Sequence, residues 1–567
     1  MTLNQSIKLS LEQENRNHHE ESSCPTLKRG TPVKKGTWMT RPELKHCEAD
    51  KAGLVHYFDG DHVLMLPYTH ELVIGSTGTG KSEVFYKNQL DLLTELPEEV
   101  RPSFLFTDTK GSVHPYAVPK LEAAGYDVIV LDMRNPYQSA RYNFILQIFD
   151  DYKESKLIDS MLAEDKITST FDGKKYPSKQ AARNVAKAKK VRLFESVERS
   201  IDELAHVIIP DGEPKDRTWI DGARTMLRAI VWTMLYDSDL PNTKMTREYF
   251  TIANVARTAF TTGDDCDEII AWLRRASSIL CVQSAINSNY NLRAKVTRDG
   301  YVSTLNTNLS EFSSTAIGAI TATTDEINLK EIAQGTKPVA VFVVTDERQK
   351  TTNSICTLFI NNLINELVNH ADRNPTHSLD RDFVILADEF ANMPPIPNLA
   401  NKITTLRSRR IWMVMAIQSI QQLDMVYGEN VSSILQDNCD THLFLGCNND
   451  KTKEAFAISM GKRIGVQTAA NIDNLGRVSI TKSTVDVPVI RKSDLNALEL
   501  GEFYVKTRMS GNFKSFIKPY FTRTDVPAPI MQENMNFHDY DPAEHLYDII
   551  EVLESEKPLR QKYDWEF

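Results

Sequence analysis

Short apolar runs recur along the chain with little polar interruption: ELVIG (71–75), SFLFTD (103–108), YDVIVLD (126–132), PVAVFVVT (338–345), DFVILAD (382–388), IWMVMAIQ (411–418) and THLFLG (441–446). A strand with one face in water alternates apolar and polar residues, whereas a strand covered on both faces reads as a continuous apolar run. Helical segments lie between these runs, so the pattern predicts an α/β fold with a doubly wound, mostly parallel sheet. Between Asp132 and Pro338 the strand signal largely disappears. Stretches such as DRTWIDGARTMLRAIVWTMLY and CDEIIAWLRRASSIL carry helical periodicity instead, which predicts a mainly α insertion in the sheet domain.

These signals divide the chain into a polar N-terminal arm (1–50), a first part of the sheet domain (51–150), the all-α insertion (151–330), a second part of the sheet domain (331–530) and an acidic C-terminal tail (531–567). The first 35 residues read as an extended arm. The tail holds ten Asp or Glu against three Lys or Arg. Such a charge repels nucleic acid and suits either a basic protein partner or a solubilising role, with HLYDIIEVLE as a short amphipathic helix.

Composition narrows the function classes. Of 567 residues, 41% are hydrophobic and 25% charged, as in ordinary globular proteins, and the formal net charge is −10. Any nucleic-acid site must therefore be a local basic surface. The densest candidate is GKKYPSKQAARNVAKAKKVRLF (173–194), with eight Lys or Arg and no acid; Lys179, Arg183, Lys187 and Lys190 share one helical face, and Tyr176 and Phe194 bracket the strip. The other reading is a solvated helix face, which charge runs usually are; the functional one is contact with DNA or a relaxase. Seven scattered cysteines without a CxxC pair fit free thiols in a reducing cytoplasm and argue against structural zinc; Cys439 and His442 fit a packed strand better than a metal pair. No apolar stretch approaches the ~20 residues that cross a bilayer, so the expectation is a cytoplasmic chain that reaches the inner face of the membrane through partners.

The sharpest chemical signal is GSTGTGKS: Gly75, Ser76, Thr77, Gly78, Thr79, Gly80, Lys81 and Ser82 fit G-x-x-x-x-G-K-[ST]. Glycines let backbone N–H groups wrap phosphates, lysine reaches the β- and γ-phosphates of ATP, and the serine hydroxyl ligates Mg2+. A strand precedes the loop and a helix follows, aiming its N-terminus at the same anion. A second signal is Asp388–Glu389 at the end of an apolar strand. Asp388 is expected to hold the Mg2+ shell together with Ser82, and Glu389 to polarise the attacking water. Gln418 ends the next strand, where its amide would sense the γ-phosphate or the water. Arg407, Arg409 and Arg410 stand just before that strand; in a ring of subunits, such an arginine reaches a neighbour's nucleotide.

With these blocks in order, the chain resembles the type IV coupling proteins, the TraG/TraD-like ATPases of conjugative transfer. The resemblance runs from about Gly36 to about Thr507 through GTWMTRPELK, LPYTHELVIGSTGTGKS, SFLFTDTKG, AAGYDVIVLDMRNPYQSARYNF, ILADEFANMPPIPNL, AIQSIQQL and ILQDNCDTHLFLGCNNDKTKEAFAISMG. It implies a RecA-like P-loop NTPase domain with an inserted all-α domain, assembly as a homo-hexamer, and ATP hydrolysis that drives single-stranded DNA with its relaxase toward a type IV secretion channel. It also implies that Lys81 and Ser82 are the Walker A pair, Asp388 and Glu389 the Walker B pair, and Arg407, eleven residues before Gln418, the trans-acting arginine. The family's usual N-terminal transmembrane helices are not in this sequence, which is expected to be a truncated or naturally soluble form. Two other readings use the same loop: a nucleotide-gated substrate receptor without motor activity, and an FtsK-type double-stranded DNA translocase.

Overall fold

The computed structural model describes residues 24–562 except 212–215, 262–265, 292–293, 325, 346–349, 473–477, 527–539 and 542–544. Its strands, in chain order, are β1 (Thr37–Thr40), β2 (Gly53–Phe58), β3 (His62–Pro67), β4 (Glu71–Gly75), β5 (Ser103–Asp108), β6 (Asp127–Asp132), and the two-residue β7 (Thr170–Phe171) and β8 (Lys174–Lys175). They continue with β9 (Val339–Val344), β10 (Phe383–Ala387), β11 (Ile411–Ile417), β12 (Thr441–Gly446), β13 (Lys462–Ile472), β14 (Val478–Pro488), β15 (Glu502–Thr507) and β16 (Gly511–Phe516).

Nine of them form the central sheet in the order β16-β15-β12-β4-β11-β10-β5-β9-β6. From β12 to β6 every pairing is parallel. The seven apolar runs are these seven strands, and the side-chain period of two explains why they lack alternation. Leu72 and Ile74 of β4, Val341 and Val343 of β9, and Ile385 of β10 enter one core. Their neighbours Val73, Phe342, Val384 and Leu386 enter the other. Both faces are therefore covered. The first core also takes in the helical insertion; the second is closed by the β1-β3-β2 sheet and the helix Lys87–Leu93.

β15 and β16 extend the sheet antiparallel. The arm expected to be free joins this edge. Leu27 N–H donates to the Lys514 carbonyl at 2.8 Å, and Lys514 N–H donates to the Pro25 carbonyl at 2.8 Å. Cys24 and Leu27 are buried. Residues 24–27 thus cover part of β16, a usual way of protecting an open strand, and residues 37–40 are already sheet. β13 and β14 pair over eleven residues each as a separate ribbon with Ile464 and Val466 exposed.

Helices fill the interval between β6 and β9, among them Leu146–Ala163, Lys179–Ile208, Arg217–Asp237, Ile252–Phe260, Asp267–Leu273 and Lys295–Leu309. The described part of the acidic tail docks on them. Tyr547 is 1% exposed and its hydroxyl donates to Asp237, which also accepts from the Trp272 indole at 2.7 Å. Asn254 donates to the His545 carbonyl at 2.8 Å and accepts the Tyr547 N–H at 3.0 Å. The helix Ile549–Lys562 follows, with Lys244 paired to Glu551 at 2.7 Å. Among the described residues no helix is long and apolar enough to cross a membrane.

Candidate functional site

The loop from Ser76 to Gly80 leaves the C-terminal end of β4. It is tied to the neighbouring strand end, where Ser76 N–H donates to the carbonyl of Gly446 at 2.8 Å. Within the loop, the Thr79 N–H and hydroxyl both donate to the Ser76 carbonyl, at 3.2 and 2.8 Å. The spacing of the glycines has a steric cause. A Cβ on Gly75 would stand 2.8 Å from the Thr79 hydroxyl and 2.9 Å from Cγ of Lys81; Gly80 has φ 89°, a left-handed conformation that only glycine adopts freely. Thr77 and Gly78 are exposed at the loop tip, and Ser82 is half-buried one residue into the helical segment that begins at Lys81.

Lys81 is only 6% exposed, and its ammonium donates to the Gly75 carbonyl at 2.7 Å and to Glu389 Oε1 at 3.0 Å. Glu389 Oε2 accepts from the Gln418 amide at 2.8 Å. The ends of β4, β10 and β11 are thus joined by one chain of side-chain bonds. β10 and β4 both pair with β11, in parallel, so the three residues emerge at the same edge, where ligands bind in open α/β sheets. Glu389 sits at φ 51°. Left-handed backbone at a non-glycine residue costs about 1–2 kcal/mol, and such strain concentrates at functional positions.

Asp388 is 5% exposed; its Oδ1 accepts the Glu389 N–H at 3.1 Å and its carbonyl accepts the Thr107 hydroxyl at 3.0 Å. Burial pushes its carboxyl up to about 7, opposed by Lys81 and reinforced by Glu389 and Asp108. A buried carboxylate whose charge is opposed by burial and by two acidic neighbours is an oxygen donor that suits a hard cation.

Of the three arginines, Arg410 is held by Asp382 at 2.6 Å and by the carbonyls of Leu379 and Asp380, and Arg409 by Asp372 at 2.8 Å. Arg407 is 52% exposed and pairs with Asp440 at 2.6 Å. It precedes β11 and therefore lies at the edge opposite Gln418, roughly 20 Å away along a seven-residue strand at ~3.3 Å per residue. The structure brings Lys81, Glu389 and Gln418 together and leaves Arg407 apart from them.

Two residues of this edge carry no assignment from the sequence. Asp108 ends β5 and accepts three backbone N–H groups, from Ser112, Val113 and His114, at 2.9–3.0 Å, as well as contacting the His114 ring at 2.9 Å. Those bonds, with the His114 ring, hold its carboxyl below the usual range against the effect of burial. Gly446 ends β12 and anchors the phosphate loop. The signal for both is an acid or a glycine at the end of a fully apolar run.

The basic strip is partly neutralised. Lys179 and Arg183 both pair with Asp165 at 2.6 Å, Lys189 with Glu154 at 2.6 Å and Asp172 at 3.0 Å, and Lys190 with Asp159 at 2.5 Å. Phe194 packs against Trp232 at 5.5 Å between ring centres, and Tyr176 packs on the small core around Phe171. Lys174, Lys175, Lys187 and Arg192 are exposed.

The sequence family described as "Type IV secretory system Conjugative DNA transfer" matches residues 26–487. Comparison with curated proteins yields no match. Among solved structures, the bacterial conjugative coupling protein TrwBdeltaN70 in its unbound monoclinic form is 16% identical with a TM-score of 0.56, over 86% of this chain and 95% of that one. The plasmid coupling protein TrwB in complex with the ATP analogue ADPNP is 16% identical with a TM-score of 0.56, over 91% and 98%. TrwB in complex with ADP and Mg2+ is 16% identical with a TM-score of 0.56, over 90% and 99%. Likeness at that identity shows the fold: a RecA-like α/β P-loop NTPase domain with an inserted helical domain.

Proposed function

The chain belongs to the type IV secretory system conjugative DNA transfer family, and on that premise we propose that it is the ATP-dependent coupling protein of a conjugative secretion system. In this reading it receives a relaxase–DNA complex at the inner face of the cell membrane and drives single-stranded DNA toward the channel. The observation that carries the proposal is the bonded chain Lys81–Glu389–Gln418 across three strand ends beside the phosphate loop. Lys81 would exchange Glu389 for the β- and γ-phosphates of ATP. Released from the ammonium, Glu389 would orient and deprotonate the attacking water, with Gln418 fixing the carboxylate.

Ser82 and Asp388 would hold Mg2+, which supplies neutralisation of phosphate charge. Among the described residues no three of His, Cys, Asp and Glu gather into a metal site. Mg2+ in nucleotide sites is held through one or two carboxylates, water and substrate phosphates. The TrwB complexes with ADPNP and with ADP and Mg2+ support the same ligand class for this fold.

The test is ATP turnover against protein concentration, with and without single-stranded DNA. Turnover per chain is expected to rise with concentration and with single-stranded DNA, and Lys81→Ala to remove it. Bound ATP without DNA-stimulated turnover at any concentration replaces the motor with a nucleotide-gated receptor. Stimulation by duplex alone replaces it with a double-stranded DNA translocase.

A further inference from the structure

One segment touches both the phosphate loop and the chain around Gln418, and the proposed reaction gives it no part: residues 446–452, which leave the end of β12 and enter the helix Asp450–Ser459. β12 lies directly beside β4, and its register with β4 shifts between Phe444 and Gly446. Such an irregularity re-aims the chain at a strand end. It brings Gly446 against the loop, where a Cβ would stand 2.9 Å from Cγ2 of Thr79. On this side the Gly446 carbonyl accepts the Ser76 N–H at 2.8 Å, and the Asn448 N–H donates to the Ser76 hydroxyl at 3.3 Å.

The other side of the segment holds the main chain that carries Gln418. The Cys447 thiol donates to the Gln418 carbonyl at 3.2 Å and accepts the Asn449 N–H at 3.2 Å. Two residues further on, Ile420 opens the helix Ile420–Tyr427, and the first N–H groups of a helix have no partner within it. The Thr452 hydroxyl accepts the Ile420 N–H at 3.1 Å and donates to Gln421 Oε1 at 2.7 Å. A threonine inside a helix commonly turns its hydroxyl back to a carbonyl one turn earlier. Thr452 is fully buried and directs both bonds to the neighbouring helix instead, while its own N–H is taken by Asn449 Oδ1 at 3.0 Å. Cys447 and Thr452 thus grip residues 418 and 420 from one side, and the Gln418 amide reaches Glu389 at 2.8 Å on the other.

We propose that Thr452 is a positioning residue for the hydrolytic step: it fixes the main chain under Gln418, and so the amide that orients the Glu389 carboxylate, in register with the phosphate loop. The proposal rests on the nucleotide-site reading above and adds a residue that touches neither nucleotide nor water. Cys447 shares the task through the Gln418 carbonyl, and Asn448 ties the same segment to Ser76. Groups around a reacting centre have to be held to about 0.5 Å, and a misplacement of about 1 Å costs roughly 100-fold in rate. Binding of the triphosphate passes through the loop amides and Lys81 and does not depend on Thr452.

DNA-stimulated ATP turnover, fluorescent-analogue affinity and thermal midpoint are measured for the wild type, Thr452→Val, Thr452→Ser, Cys447→Ala, Gln418→Ala and the double variant that combines Thr452→Val with Gln418→Ala. Thr452→Val, which keeps the shape and removes the hydroxyl, is expected to lower kcat roughly 10–100-fold with KM and analogue affinity unchanged. Thr452→Ser recovers most of kcat. In the Gln418→Ala background Thr452→Val changes kcat by less than about twofold, because a residue that acts through the amide then has nothing left to position. Cys447→Ala shows the same pattern at smaller size, the thiol being a weak donor, and carries the test if Thr452→Val fails to fold. A kcat loss that persists in full without the Gln418 amide, or a lower thermal midpoint with turnover per folded chain unchanged, makes the hydroxyl a structural cap; either result overturns the proposal and leaves the nucleotide site standing. Turnover by Gln418→Ala equal to that of the wild type, or no turnover by the wild type, overturns the reading of the site and the proposal with it.

Discussion

Glu389 carries three constraints at once: a left-handed backbone, burial, and bonds to both Lys81 and Gln418. In the proposed reaction its charge competes with nucleotide for the Lys81 ammonium, and it also activates water. These roles separate on substitution. Glu389→Gln is expected to tighten ATP binding by about tenfold, by removing the competitor, while turnover falls roughly 10²–10³-fold with loss of the base. Titration with a fluorescent analogue and a steady-state assay check both halves; equal losses in both would deny the competition.

His70 gives a pH prediction far from this chemistry. Its Nδ1 accepts the Met413 N–H at 3.0 Å, so the ring is held neutral. Burial lowers its folded value from 6.5 to about 4, with Arg407 lowering it further and Asp440 opposing. The unfolded chain takes up the proton first, so stability is full above pH ~6.5 and declines as pH falls toward ~4. The loss between pH 7 and pH 5 is about 2 kcal/mol. Urea midpoints at the two pH values measure it, and His70→Gln, which keeps an acceptor but cannot titrate, should flatten the dependence.

At the scale of elements, the seven parallel strands were readable because they are covered on both faces, the edge strand β6 only partly, and write uninterrupted apolar runs. β15 and β16 were not, because EFYVKT and GNFKSF interleave polar residues, as antiparallel strands at the less covered end of a sheet do. The chemistry at strand ends was readable in kind but not in contact: the Glu389 bond to Lys81 spans 308 positions and only the sheet order creates it. The helix expected in HLYDIIEVLE is present over Ile549–Lys562, but the docking of residues 24–27 and of the tail was not legible, for one reason. Their composition is polar, and a few anchors such as Leu27 and Tyr547 decide where they go.

Those anchors predict effects. Tyr547→Phe removes one donor to Asp237 and should lower the stability of the docked tail by about 1–2 kcal/mol, read as faster hydrogen exchange in the helix Asp267–Leu273, where Trp272 shares that carboxylate. Slower or unchanged exchange there would mean the tail contributes nothing. The ion pairs along the basic strip leave Lys187 as an exposed cation to probe. Lys187→Glu should weaken single-stranded DNA binding and reduce its salt slope by about one if the helix meets DNA; an unaltered slope assigns the strip to solvent.

For the whole molecule, the two halves of the proposed reaction site belong to opposite edges of one sheet. Arg407→Ala chains should therefore bind ATP normally yet turn it over poorly, whereas Lys81→Ala chains, which lack the grip on phosphate, should neither hold ATP normally nor turn it over. Mixed in equal amounts, the two should regain a measurable fraction of wild-type turnover, because some junctions pair an intact loop with an intact arginine. No recovery on mixing would place the function of Arg407 within its own chain.

The separation of Arg407 from Gln418 by the length of β11 has a geometric consequence. A body that offers one surface at its top and the complement at its bottom cannot be satisfied by a twofold pair, which buries like against like. Each added copy leaves a fresh half-site at either end, so growth halts only if the rotation per step returns to the start. Otherwise the same contact yields an open filament, and the tilt between neighbours, rather than the strength of their contact, selects between a closed circle and a thread.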